Sequence, residues 1–276
     1  MNATIRRVLT STNVSRRIYF AARQMYRIRQ TAISARHCFV NGADFKKALM
    51  AQGSTELVDL RTPDGLVITI RQNYADAMTV AEIFLSDSYT RGMKLPASPV
   101  IIDVGGFVGD FSLYAAKRLN ARRVIVCEPS PRNWKLLLKN IQVNRFQDRI
   151  EPINKAVTDG SDLMMNIDAP DDCQSTVSAY FERGHEFSTI PGISLEQLLQ
   201  EQSVEHVDLL KIDCEGGEFS IIDSTPSEVF RRIQNLVFEY HQVEDLWAKL
   251  DRAKARLRSE GYELQMGSGL VYAIRP

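Results

Sequence analysis

The stretch VIIDVGGFVGDFSLYAAKRL, Val100–Leu119, joins a continuous apolar run to a glycine cluster and then to a helical pattern. An unbroken apolar run is the signature of a strand buried on both faces. Strand, glycine turn and helix in this order open many nucleotide-binding folds. Working outward, the alternation repeats. RVIVCEPS (123–130) is a second strand, IEPINKAV (150–157) a third, VDLLKID (207–213) a fourth and NLVFEYH (235–241) a fifth. The helix after the second strand has Ser130 as its cap, Pro131 in its first turn, and Trp134, Leu137, Leu138 and Ile141 on one buried face. SLEQLLQ (194–200) opens with a capping box, Ser194 with Gln197. YELQMG (262–267) and LVYAIRP (270–276) have no helix between them and are expected to pair antiparallel. Five β-α units and a closing hairpin predict an α/β fold: a Rossmann-like, doubly wound, mostly parallel sheet. Residues 158–190 read as polar and irregular.

Upstream, two alternating runs flank Pro63-Asp64-Gly65, which predicts a β-hairpin, and YADAMTVAEIFLSDSY (74–89) predicts a helix. The prolines of LPASP (95–99) mark a boundary. The chain therefore divides into a basic helical extension over 1–50, a hairpin and helix over 51–98, and the main domain over 99–276.

The 276 residues carry no net charge, which removes the global signature of a nucleic-acid binder. The balance hides an asymmetry. Residues 1–50 hold ten basic side chains and one acid, Asp44, and the rest carries a net charge of −9. Such an arm is read either as a solvated helical extension packed on the domain or a partner, or as a transit peptide or peripheral contact with anionic membrane. No apolar run reaches membrane-spanning length. Cys38, Cys127, Cys173 and Cys214 show no C-x-x-C spacing, so a zinc site and a disulfide framework are not expected, and no metal ligands are assigned. A cytoplasmic setting, with or without peripheral membrane contact, is the expectation.

The glycine turn decides the nucleotide class. A dinucleotide fingerprint is G-x-G-x-x-G, with pyrophosphate on the helix N-terminus. Here Gly105 and Gly106 are adjacent, and acids flank the turn at Asp103 and Asp110. A ligand that is not polyanionic suits this turn better. S-adenosyl-L-methionine carries a sulfonium, an ammonium and an adenosine but no phosphate. Glu128, at the end of the second strand, is placed to accept the ribose hydroxyls.

DVGGFVGDFSL, CEPSPRNWKLLLKNI, LLKIDCEGGEF and VFEYH occur in an order that resembles the FkbM family of S-adenosylmethionine-dependent methyltransferases. The hairpin, YADAMTVAEIF and Tyr89 are similar to the segment before that family's first core strand. The resemblance spans about residues 55–276 and leaves out the basic arm; Gly106 and Gly217 stand where the family usually has Ala. It implies a class I methyltransferase fold and methyl transfer to the hydroxyl of a sugar, glycolipid or natural product. By position, Asp103, Gly105 and Gly109 would hold the methionine end, Glu128 the ribose, and backbone near Ala156 and Val157 the adenine.

A hydroxyl is a poor nucleophile until its proton is drawn off, so a general base is sought at the carboxyl ends of the strands. Asp213 and Glu215 follow the fourth strand, Glu239 and His241 the fifth. His241 has the ordinary pKa nearest neutrality and is taken as the base, with Asp213 orienting substrate or cofactor. Lys211 is expected to pair with a carboxylate. A nicotinamide oxidoreductase and an inactive methyltransferase-like binding module are the competing readings.

Overall fold

The computed structural model describes residues 31, 38–51, 54, 56–166, 187–241, 243–267 and 269–276. Residues 1–30 and 32–37 of the expected basic extension, and Asp168, Asp171, Asp172, Cys173 and His185 of the segment read as polar and irregular, lie outside the described residues.

The apolar runs form the centre of the expected sheet. β3 (Val100–Val104), β4 (Arg123–Cys127), β5 (Ile150–Ile153), β10 (Leu209–Ile212), β11 (Asn235–Glu239), β12 (Glu263–Met266) and β13 (Leu270–Ile274) pair in the order β12-β13-β11-β10-β3-β4-β5. β5, β4, β3, β10 and β11 run parallel, while β13 is antiparallel to both β11 and β12. The chain winds outward from β3 through β4 and β5, then returns to place β10 on the other side of β3. A crevice therefore opens between the carboxyl ends of β3 and β10, where open α/β sheets bind ligands.

Helices cover both faces. Leu195, Leu198 and Leu199 of α5 (Leu195–Glu201) share one apolar layer with Leu246, Leu250, Ala253 and Leu257 of α8 (Leu246–Ser259), the stripe expected there. α5 begins with the expected capping box. The other layer contains α3 (Asp110–Lys117), α4 (Pro131–Val143) and the upstream elements. In α4 the buried residues are Leu136, Leu137, Asn140 and Ile141, while Leu138 is exposed. Ser130 makes no side-chain cap. The buried face is turned from the expected one because Asn140 points inward: its amide binds Thr69 N and O and Val108 O at 2.7, 2.9 and 2.8 Å.

The upstream hairpin is β1 (Leu57–Arg61) and β2 (Val67–Arg71), followed by α2 (Tyr74–Ser86). Before it, α1 (Gly42–Met50) buries Phe45, Ala48 and Leu49 in the same apolar layer as Phe39. Residues 39–50, expected within the extension, are thus part of the folded body, because their apolar side chains close the layer above the hairpin.

Two short pairs stand beside the main sheet. IEPINKAV is interrupted: β5 ends at Ile153, and Ala156–Val157 (β6) pairs in parallel with Gly192–Ile193 (β9). Leu163–Asn166 (β7) and Phe187–Ile190 (β8) pair antiparallel, so the ends of the segment read as irregular are strands.

Candidate active site

The crevice is a cavity of about 480 Å³. Gly105 lies at its floor with φ +81°, and a Cβ there would lie 1.7 Å from the Asp213 carbonyl oxygen. Only glycine lets the turn after β3 pass this close to the end of β10. Gly106 abuts the Val126 side chain, where an added Cβ would meet Cγ2 at 2.1 Å. The absence of the middle residue of a dinucleotide fingerprint is therefore matched by tight packing against β4.

Glu128 lines the cavity on the β4 side. Its carboxylate accepts from the amides of Phe107 and Ser130, each at 2.8 Å, and from Asn133 at 3.4 Å. Burial nevertheless pushes its pKa up to about 7. Ala156 and Val157 form the neighbouring wall with Leu163 and Met165, which makes an apolar slot beside an acceptor of hydroxyl protons. An adenosine fits that combination of surfaces.

The structure separates the other expected methionine-end residues from the cavity wall. Asp103 is fully buried, accepts from Ser112 Oγ at 2.7 Å and pairs with Lys211 Nζ at 3.0 Å. Gly109 immediately precedes α3 and packs against Leu137. Neither lines the cavity. Lys211 also donates to Gly105 O at 2.7 Å and lies 3.6 Å from Asp213, the expected carboxylate pairing. Lys211 thus links the Asp103 carboxylate to the turn at Gly105. Asp110 is buried beside this group, and burial raises its pKa to about 7.

At the far end, Asp213, Glu215, Glu239 and His241 converge as expected. His241 Nδ1 bonds the fully buried Glu218 at 2.8 Å, and its Nε2 lies 3.5 Å from Glu215 and 3.7 Å from Asp213. Burial opposes charge on the ring, but the hydrogen bond and charge of Glu218, with Glu215 and Asp213, outweigh it and push the pKa up to about 9. That environment, with Nδ1 held by Glu218, favours the protonated ring and so bears against His241 as the base. Burial raises Glu215 to about 7, and burial with the Asp213 charge raises Glu239 to the same value. Asp213, Glu239 and His241 each bring a ligand atom within 4.8 Å of the others. The Lys211 ammonium and the His241 ring already supply positive charge there.

Sequence reasoning did not assign Glu218 or a role for Tyr89. The Tyr89 hydroxyl lies 2.7 Å from Asp213 and 3.1 Å from Glu239, within donating reach of either. The E-G-G-E spacing of the loop after β10 is the available signal for Glu218, whose carboxylate also accepts from Cys214 and Gly216 amides.

A profile of the methyltransferase FkbM domain matches residues 103–264, from the end of β3 into β12. The chain belongs to the FkbM methyltransferase family. It is 25% identical over 235 residues to "31-O-demethyl-FK506 methyltransferase FkbM" of Streptomyces tacrolimicus, covering 74% of this chain and 88% of that one. It is 23% identical over 212 residues to "Methyltransferase sdnD" of Sordaria araneosa, with coverage of 66% and 80%. It is also 25% identical over 243 residues to "AMB antimetabolite synthetase AmbE" of Pseudomonas aeruginosa, 71% of this chain but only 11% of that protein. The crystal structure of Methyltransferase FkbM from Methylobacillus flagellatus is similar over 71% of this chain and 53% of its own, at 14% identity and a TM-score of 0.47. In this FkbM-family chain the sheet order and the crevice at β3 and β10 form a Rossmann-like methyltransferase core. No helix among the described residues is long and apolar enough to cross a membrane.

Proposed function

We propose that this FkbM-family protein is an S-adenosyl-L-methionine-dependent O-methyltransferase acting on a hydroxyl of a sugar, glycolipid or natural product. One observation carries the reading: a single cavity runs from Glu128 and the Ala156–Val157 wall to the titratable cluster of Asp213, Glu215, Glu239 and His241. The first end suits an adenosine and the second the proton of an acceptor hydroxyl. The Gly105 turn between them leaves room for the methionine end to approach backbone.

When bound, the cofactor supplies an already activated methyl group, so the protein's task is mainly position. Glu128 accepts from the ribose. Gly105 offers the close approach, with Lys211 and Asp103 fixing it from behind. Asp213 and Glu215 face the acceptor, and His241 presents Nε2–H as a donor to them. The described wall holds seven carboxylates, one imidazole and no lysine or arginine. That supports a neutral, hydroxylated acceptor over one recognised through a phosphate or carboxylate. The name of the Streptomyces relative, a 31-O-demethyl-FK506 methyltransferase, supports oxygen as the atom modified.

The test is methyl transfer from isotope-labelled S-adenosylmethionine to a panel of methyl glycosides, glycolipids and macrolides. Labelled ether products that disappear on methoxy-specific cleavage support the reading. Label found only on nitrogen or carbon would overturn the O-methyl assignment.

A further inference from the structure

Tyr89 lies before the matched region, yet it completes the acceptor end of the cavity. It sits on the 3-10 turn Ser88–Thr90 after α2 and is 6% exposed. Its ring packs edge-on against Phe111 at 5.4 Å between centroids, and Lys211 Nζ lies 5.3 Å from its centroid. The ring is therefore held on two sides, and its hydroxyl reaches both Asp213 Oδ2 and Glu239 Oε2. Those carboxylates come from the ends of neighbouring strands, β10 and β11. One phenolic proton faces two acceptors and satisfies one of them at a time.

We propose that Tyr89 is a positioning residue that ties Asp213 and Glu239 together, and that Glu239 is the catalytic base for the acceptor hydroxyl. The inference rests on the proposed methyl transfer to oxygen. In the step, the acceptor oxygen forms a bond to the methyl carbon as the carbon–sulfur bond breaks, and that electron pair goes to sulfur. The hydroxyl proton passes to Glu239 and then to solvent. Tyr89 keeps its own proton throughout: burial, followed by the charges of Asp213 and Glu239, holds the phenol well above its ordinary pKa.

Glu239 suits the role better than His241 or Asp213. Glu218 bonds His241 Nδ1 at 2.8 Å and favours the protonated ring, and Asp213 is tied to Tyr89 and to Lys211. The groups acting on Glu239 include Asp213 and Glu215 from the loop after β10, Glu82 from α2, His241 from its own segment and the Tyr89 hydroxyl. Asp213 and Glu82 disfavour its charge; His241 and the phenol favour it.

This balance gives a test with two opposite signs. Protein carrying carboxyl-13C glutamate is titrated without ligand by NMR, and the Glu239 resonance is identified by its loss in Glu239→Gln. The wild-type midpoint is expected near 7. Tyr89→Phe removes a donor to the charged form and raises the midpoint. Asp213→Asn removes a like charge and lowers it. A merely structural tyrosine leaves the midpoint unmoved in Tyr89→Phe, while the Asp213→Asn shift checks that the resonance reports the cluster. In the methyl-transfer assay with the hydroxyl panel, Glu239→Gln is expected to lose about 10²–10⁴-fold in kcat. Tyr89→Phe is expected to lower kcat more than it raises KM, and to move the acid limb of the pH profile upward. An unshifted midpoint in Tyr89→Phe would overturn the positioning role, and a Glu239→Gln enzyme with wild-type kcat would overturn the base. S-adenosylhomocysteine that fails to bind wild-type protein counts against the cofactor reading instead, because the titration is read in the unliganded protein.

Discussion

Gly105 shows how one residue ties sequence to site. An alanine there needs a left-handed backbone, about 1–2 kcal/mol on its own, and its methyl would meet the Asp213 carbonyl. Gly105→Ala is therefore expected to lower the thermal midpoint by at least about 2–4 °C per kcal/mol lost and to weaken S-adenosylhomocysteine binding. Calorimetry and titration on the same sample check both, and an unchanged midpoint with unchanged affinity would show that the close approach is absent. Of the cavity residues, Gly105, Glu128, Asp213, Glu215 and His241 were named from glycine spacing and strand ends, and Ala156 and Val157 only through the family resemblance. The charge state of His241 was not legible, because it depends on Glu218, which a loop brings to Nδ1 from 23 positions away. Asp103 was named but not as hidden: it lies in the central strand β3, buried along its whole length, and its carboxylate pairs with Lys211.

Among the elements, the joint between hairpin and core carries the least obvious information. The β2 edge is capped by amides rather than by another strand: Asn140 serves Thr69, and Asn144 binds Val67 N and O at 2.9 and 2.6 Å. Asn140→Ala strands buried backbone groups of Thr69 and Val108 and is expected to cost about 1–3 kcal/mol for an unsatisfied group. Chemical denaturation reads it, and a loss below a few tenths of a kcal/mol would mean that water replaces the amide. Apolar periodicity cannot announce such an inward asparagine, which is why the buried face of α4 was misplaced by part of a turn. The same blindness applied to residues 39–50, where excess positive charge hid a short apolar pattern. Phe45 is fully buried, so Phe45→Ala is expected to cost about 3–5 kcal/mol, and a chain starting at residue 51 to be far less stable than one starting at 38. Equal stability of the two truncations would restore the boundary at residue 50. The centres of β3, β4, β10 and β11 were legible because burial on both faces leaves largely apolar runs, while their ends were read up to three residues too long.

At the scale of the whole molecule, the site concentrates acids whose charge the fold resists. Asp110, Glu128, Glu215 and Glu239 are raised to about 7. Between the ordinary carboxylate range and that value the native state binds more protons than the unfolded chain, so each of these groups makes stability fall as pH rises through that window. His241, raised to about 9, stabilises fully below its ordinary value of 6.5, and that contribution is lost as pH rises through 9. Both signs agree: the unliganded thermal midpoint is expected to decline from about pH 5 to pH 9. S-adenosylmethionine, with its sulfonium and ammonium, is expected to flatten the decline, and a midpoint that rises over this range would contradict the electrostatic account. The central claim is that the crevice between β3 and β10 holds an adenosine-bearing methyl donor through Glu128, and isothermal titration tests it most directly. S-adenosylhomocysteine is expected to bind wild-type protein while NAD and NADP do not. A folded Glu128→Ala variant is expected to bind about 10–100-fold more weakly, as befits the loss of about 1.5–3 kcal/mol from a charged hydrogen bond. Binding of NAD in place of S-adenosylhomocysteine, or undiminished affinity in folded Glu128→Ala, would contradict it.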